Sequence, residues 1–123
     1  MITSNNIFER SNVLFINNSK TDLLIMEALL NKHFNIINVT NVNDAIGLLD
    51  EMKVDIIISN ELYSNELNTR VQIIKKIKLD RQYSNIKFFA LHQPDKKSHY
   101  YIKQGFDDAF SNPVLKEEIF AAL

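Results

Sequence analysis

Five polar side chains each follow a short apolar run, and their types decide what chemistry is open to them. Asn17 and Asn18 follow Val13–Ile16, Asn60 follows Val54–Ser59, His92 follows Ile86–Leu91, and Asn112 follows Asp108–Phe110. Carboxylates at such places could hold a hard cation or accept an electrophile, whereas amides can do little beyond hydrogen bonding. No carboxylate pair stands at these five positions, and no serine sits in a G-x-S-x-G elbow. The chain has two glycines, Gly47 and Gly105, too few for a glycine-rich phosphate cradle. Cysteine is absent, which removes a thiolate nucleophile, a disulfide framework and Cys-based zinc. Catalysis has no candidate acid, base or nucleophile here, so an enzyme is not expected.

The elements that must position these residues alternate along the chain. Val13–Ile16, Ile36–Thr40, Val54–Ser59, Ile86–Leu91 and Asp108–Phe110 read as strands. Lys20–His33, Asn43–Met52, Val71–Leu79, Asp95–Gln104 and Leu115–Leu123 read as helices. Ser19 opens the first helix with Asp22 three residues on, a capping-box spacing. Gly105 ends the fourth, because glycine accepts a left-handed C′. Strands one, three and four are continuously apolar, which predicts burial on both faces and a parallel sheet covered by helices. The fold class is therefore α/β, a three-layer doubly wound sheet of five parallel strands. In such sheets ligands sit beyond the carboxyl ends of the strands. All five polar residues fall there.

At 123 residues, 46% hydrophobic and 24% charged, the chain is sized for one domain with its own core. Residues 1–11 read as a short, poorly ordered leader and 12–123 as the domain. A net charge of −1 gives no basic imprint for nucleic acid. No apolar run is long enough to span a membrane and no signal peptide opens the chain, so a cytoplasmic protein is expected.

These segments resemble the receiver domain of two-component response regulators, the CheY-like fold, over Asn12 to Leu123. "VLFINNS" is similar to the family's first strand, which ends in two acids, and "VDIIISN" to the strand ending in the phosphate-accepting aspartate. "FFALH" resembles the strand ending in a switch hydroxyl, and "QGFDDAFSNP" the segment ending in Lys–Pro. The resemblance implies strand order 2-1-3-4-5 and a cis peptide at Asn112–Pro113. It maps the metal-binding acids onto Asn17 and Asn18, the phosphoacceptor onto Asn60, the hydroxyl onto His92 and the lysine onto Asn112. The aromatic switch falls on Ala109. All six depart from the family pattern. Asparagine fills 15 of 123 positions, a fraction too small to place it by chance at four of these five strand ends.

A degenerate receiver, or pseudoreceiver, follows: no metal, no cofactor, and a protein-interaction module in signal transduction that works without phosphorylation. The alternative is a small-ligand-binding protein or enzyme using the Asn-lined pocket on the same fold. Two carboxylates 4 Å apart repel by about 4 kcal/mol at an effective dielectric of 20, and amides relieve this once no metal is held. Glu61, beside Asn60 on an extended segment, points to the opposite side and cannot replace the lost acid. The Lys75–Lys78 run reads as a solvated helix face. The family's partner face maps onto Tyr100, Tyr101, Asp107 and Asp108. Ala121 and Ala122 lie where a dimer face would need basic residues, so a monomer or a weak homodimer through other contacts is expected, with neither nucleic acid nor membrane as partner.

Overall fold

The computed structural model describes residues 10–62 and 77–123. Five strands form one parallel sheet: β1 (Ser11–Ile16), β2 (Phe34–Val39), β3 (Ile56–Asn60), β4 (Lys87–His92) and β5 (Asp108–Ser111), in the order β2-β1-β3-β4-β5. Four helices are described in full, α1 (Lys20–Leu30), α2 (Val42–Leu49), α3 (Ser98–Gln104) and α4 (Lys116–Ala122). The predicted helix Val71–Leu79 lies largely outside the described residues, of which Ile77, Lys78 and Leu79 are helical.

The period of two along each strand divides the core into two layers. Leu14, Ile16, Ile57, Phe88 and Ala90 pack on one face with α2 and with Tyr101 and Phe106. Val13, Phe15, Ile56, Ile58, Phe89 and Leu91 pack on the other with Met26 and Leu30 of α1 and Ile119 of α4. This is why the buried runs Val13–Ile16, Ile56–Ile58 and Phe88–Leu91 are continuously apolar. Register is tight, with Ile16 opposite Ser59 and Asn60 opposite Leu91, so the carboxyl ends of the strands converge.

Element boundaries shift from the sequence expectation by a few residues. β1 begins at Ser11 rather than Val13, inside the segment expected as leader, because Ser11 and Asn12 pair with Phe34 and Asn35. β3 and β4 start and end later and so take in Asn60 and His92 themselves. α1 stops at Leu30 rather than His33, since the chain must turn to enter β2 at Phe34. Gly105 closes α3 at φ 122°, a conformation that side chains with a Cβ avoid. The Asn112–Pro113 peptide is cis, as the resemblance implied.

Phe89 is fully buried and meets Phe110 edge to face at 5.3 Å. Phe89→Ala removes this contact and leaves a cavity between β4 and β5. Urea unfolding is expected to show a loss of about 3–5 kcal/mol; a loss below 1 kcal/mol would contradict this packing.

Candidate functional site

At the carboxyl ends of β1 and β3 the amides form a network. Asn60 Nδ2 donates to Asn17 Oδ1 at 2.8 Å and to Asp22 Oδ2 at 2.8 Å. Asn60 Oδ1 accepts from the Leu62 amide at 3.0 Å. Asn17 uses both ends of its side chain. Its Nδ2 donates to Ser19 O at 2.7 Å and Asn38 Oδ1 at 3.1 Å, and its Oδ1 also accepts from the Ser19 amide at 3.0 Å. Asn38 returns a bond to Asn17 O at 3.1 Å. Asn17 and Asn60 are buried, so these bonds are shielded from water.

The chemistry of this arrangement is specific to amides. An aspartate at 17 would turn two acceptors, Ser19 O and Asn38 Oδ1, against a carboxylate. An aspartate at 60 would set a carboxylate against Asp22. The NH₂ group of Asn60 thus joins two oxygen ligands in the way a cation joins carboxylates, without the cation. Magnesium wants oxygen ligands and several negative charges, and the residues present do not fit it. The network turns amide hydrogens inward, and its carboxylate, Asp22, is already engaged by Asn60. Among the described residues no group of three His, Cys, Asp or Glu could hold a metal.

Asp22 and Asn38 were not singled out as site residues from the sequence. Asp22 read as half of a capping box, and half of that box forms: Ser19 Oγ accepts from the Asp22 amide at 3.1 Å. The Ser19 amide is taken by Asn17, while the Asp22 carboxylate reaches Asn60. Its place in the first turn after β1 was the available signal. Asn38 is the penultimate residue of polar edge strand β2 and carried no comparable signal.

The other expected site residues lie elsewhere. Asn18 is exposed and Asn112 half-buried; among the described residues neither adds a side-chain bond to the network. His92 points to the opposite face of the sheet from Asn60. Its ring stacks on Tyr101 at 4.9 Å and 9°. Nδ1 donates to Gln93 O at 2.8 Å, which fixes that nitrogen as protonated, and Nε2 meets Ser98 Oγ at 2.8 Å. With the ring 1% exposed and both nitrogens occupied, His92 is packed as a core histidine. Glu61 also turns to this face, where its carboxylate accepts from the Ser59 hydroxyl. Burial first, and then the Glu61 charge, raise the Tyr101 phenol above its usual range. Ala109 is buried in the same layer as Tyr101.

Within the family-derived partner face, Tyr101 is buried and Tyr100 is 48% exposed. Asp107 pairs with Lys78 and accepts from the Phe88 amide at 2.7 Å; Asp108 accepts from the Ala109 amide at 2.8 Å. A cavity of about 470 Å³ lies at the other end of the sheet, beside Met52, Val54, Tyr83 and Ile86, away from the strand carboxyl ends.

No family profile matches the sequence, and no curated protein matches it. The fold does match solved structures. An orphan response regulator of H. pylori is 23% identical at TM-score 0.68, over 94% of this chain and 99% of that one. A response regulator of Thermotoga maritima is 20% identical at TM-score 0.73, over 92% and 93%. The receiver domain of a sensor histidine kinase of Pseudomonas aeruginosa, with magnesium coordinated in its active-site cleft, is 14% identical at TM-score 0.71, over 92% and 93%. The chain has the fold of the CheY-like receiver domains.

The Asn17 contacts set an expected cost. Asn17→Asp should destabilise by about 2–4 kcal/mol at neutral pH, more than Asn17→Ala. Acceptors facing the new carboxyl favour its protonated form, so its folded pKa rises above the unfolded value of about 3.9. The folded state then holds the proton longer, and the penalty grows as pH rises from there toward neutral. Denaturant midpoints of both variants across pH check this; a pH-independent penalty would contradict it.

Proposed function

We propose that this chain is a receiver-like protein-interaction module of a signalling pathway, working without phosphorylation and without magnesium. One observation carries the reading: Asn60, at the position of the family's phosphoacceptor, spends its amide on Asn17 and Asp22. An amide forms no stable acyl phosphate, and the bonds it makes hold β1, β3 and α1 together in one arrangement. Asn18 and Asn112 complete the departure from the acid and lysine pattern. The degenerate positions Asn17, Asn18, Asn60, His92 and Asn112, with Ala109 in place of the switch aromatic, are read as having no phosphotransfer role. Output then depends on a surface held in a fixed state, and Tyr100, exposed beside the buried Tyr101–His92 stack, is its most accessible aromatic on α3.

This reading is favoured over a metabolite-binding pocket because Asn17 uses both donors and both acceptors of its amide inside the protein. Among the described residues no helix is long and apolar enough to cross a membrane.

The test is phosphorylation and metal binding. With acetyl phosphate and millimolar Mg²⁺ the chain should gain no phosphoryl mass and no melting temperature. A working site would gain about 2.7 kcal/mol at a hundredfold excess of metal over Kd. Asn17→Asp, Asn18→Asp and Asn60→Asp together should lower stability without metal and restore a rise with it. A magnesium-dependent rise in the unsubstituted protein would overturn the reading.

A further inference from the structure

We infer that the outward face of α1 is a self-association surface, on which a second copy of the chain docks antiparallel about a two-fold axis. α1 buries Met26 and Leu30, with Leu23 partly buried against the same layer. A surface helix normally carries charge on the face opposite its core. Here that face is Thr21, Leu24, Ile25 and Ala28, an uncharged stripe about 100° wide at helical spacing. Leu24 is 67% exposed and Ile25 48%.

The occupant follows from symmetry and charge. A two-fold contact requires a self-complementary surface, and an uncharged apolar stripe meets its own copy without repulsion. Lys20 and Glu27 are seven residues apart, hence on one flank of the stripe two turns from each other. When two such helices pack antiparallel, each flank faces its own copy with the order reversed. Lys20 of one chain then lies beside the partner's Glu27, and the pairing occurs twice. The remaining charge of α1, Asp22, is turned to Asn60 on the other flank and stays clear of the contact. The same bond anchors the start of α1, so the stripe is presented by a helix fixed to the sheet. An 11-residue helix is about 16 Å long. So short a ridge buries less than a standard interface of about 1,600 Å², which makes this a weak dimer.

Sedimentation equilibrium from micromolar to millimolar protein tests this. The expected result is a monomer–dimer equilibrium whose Kd rises at least about tenfold in Leu24→Lys. Leu24 is exposed, so the variant should keep the native circular dichroism. Lys20→Glu should weaken the dimer, and adding Glu27→Lys to it should restore association. A chain that stays monomeric throughout overturns the inference, as does a dimer that Leu24→Lys leaves intact or a charge swap that restores nothing. None of these readouts involves phosphate or magnesium, so the inference and the proposed function stand or fall separately.

Discussion

The bonds from the Asn60 amide to Asn17 and Asp22 are the constraint on which the strand-end architecture depends. They join the central strand β3 to β1 and to the first turn of α1, three elements that meet at the carboxyl edge of the sheet. The site of a receiver poses a problem of clustered negative charge, for which a bound cation is one solution. The strand ends of this chain carry amide donors. Each amide supplies hydrogens where a carboxylate could only accept, so oxygen atoms of Asn17, Asn38, Ser19 and Asp22 are bridged from within the protein. A hydrogen bond to a charged acceptor contributes about 1.5–3 kcal/mol, and a buried polar network is stabilising only when its members are satisfied. These side chains are therefore coupled: Asn60 suits Asp22, and Asn17 suits Asn38 and Ser19.

The alternation of β3 and β4 separates this network from a second polar cluster. Asn60 faces the α1 side, while Ser59, Glu61 and His92 face the side of α3. His92 ends β4, and its ring lies flat on Tyr101 with both nitrogens hydrogen-bonded. Ala109 on β5 is buried in the same layer as Tyr101, Phe88 and Phe106. A stacked ring held at both nitrogens resists rotation.

Much of this was legible in the sequence, for physical reasons. Continuous apolar runs can be satisfied only by burial on both faces, so β1, β3, β4 and the helical layers could be read directly. Asn17 and Asn60 were visible because they end those runs. Asn18 was grouped with Asn17 although adjacent residues leave a strand in different directions, and it is exposed. The reading of Glu61 as turned away from Asn60 followed the same alternation and matches its contact with Ser59. Asp22 was hidden by a second plausible role as a helix cap, and Asn38 by an edge strand with no apolar run to mark its end. Long-range side-chain bonds of this kind leave no periodic trace. Lys75 and Lys76 of the predicted third helix lie outside the described residues, whereas Lys78, at its described end, pairs with Asp107 instead of standing free in solvent.

Hydrogen exchange of the Asn60 side-chain amide, followed by ¹⁵N NMR with and without millimolar Mg²⁺, tests the central claim most directly. An amide that bridges Asn17 and Asp22 inside the protein exchanges slowly, and its resonances stay in place when magnesium is added. Exchange at the rate of a solvated asparagine, or a shift of those resonances on adding magnesium, would contradict the account.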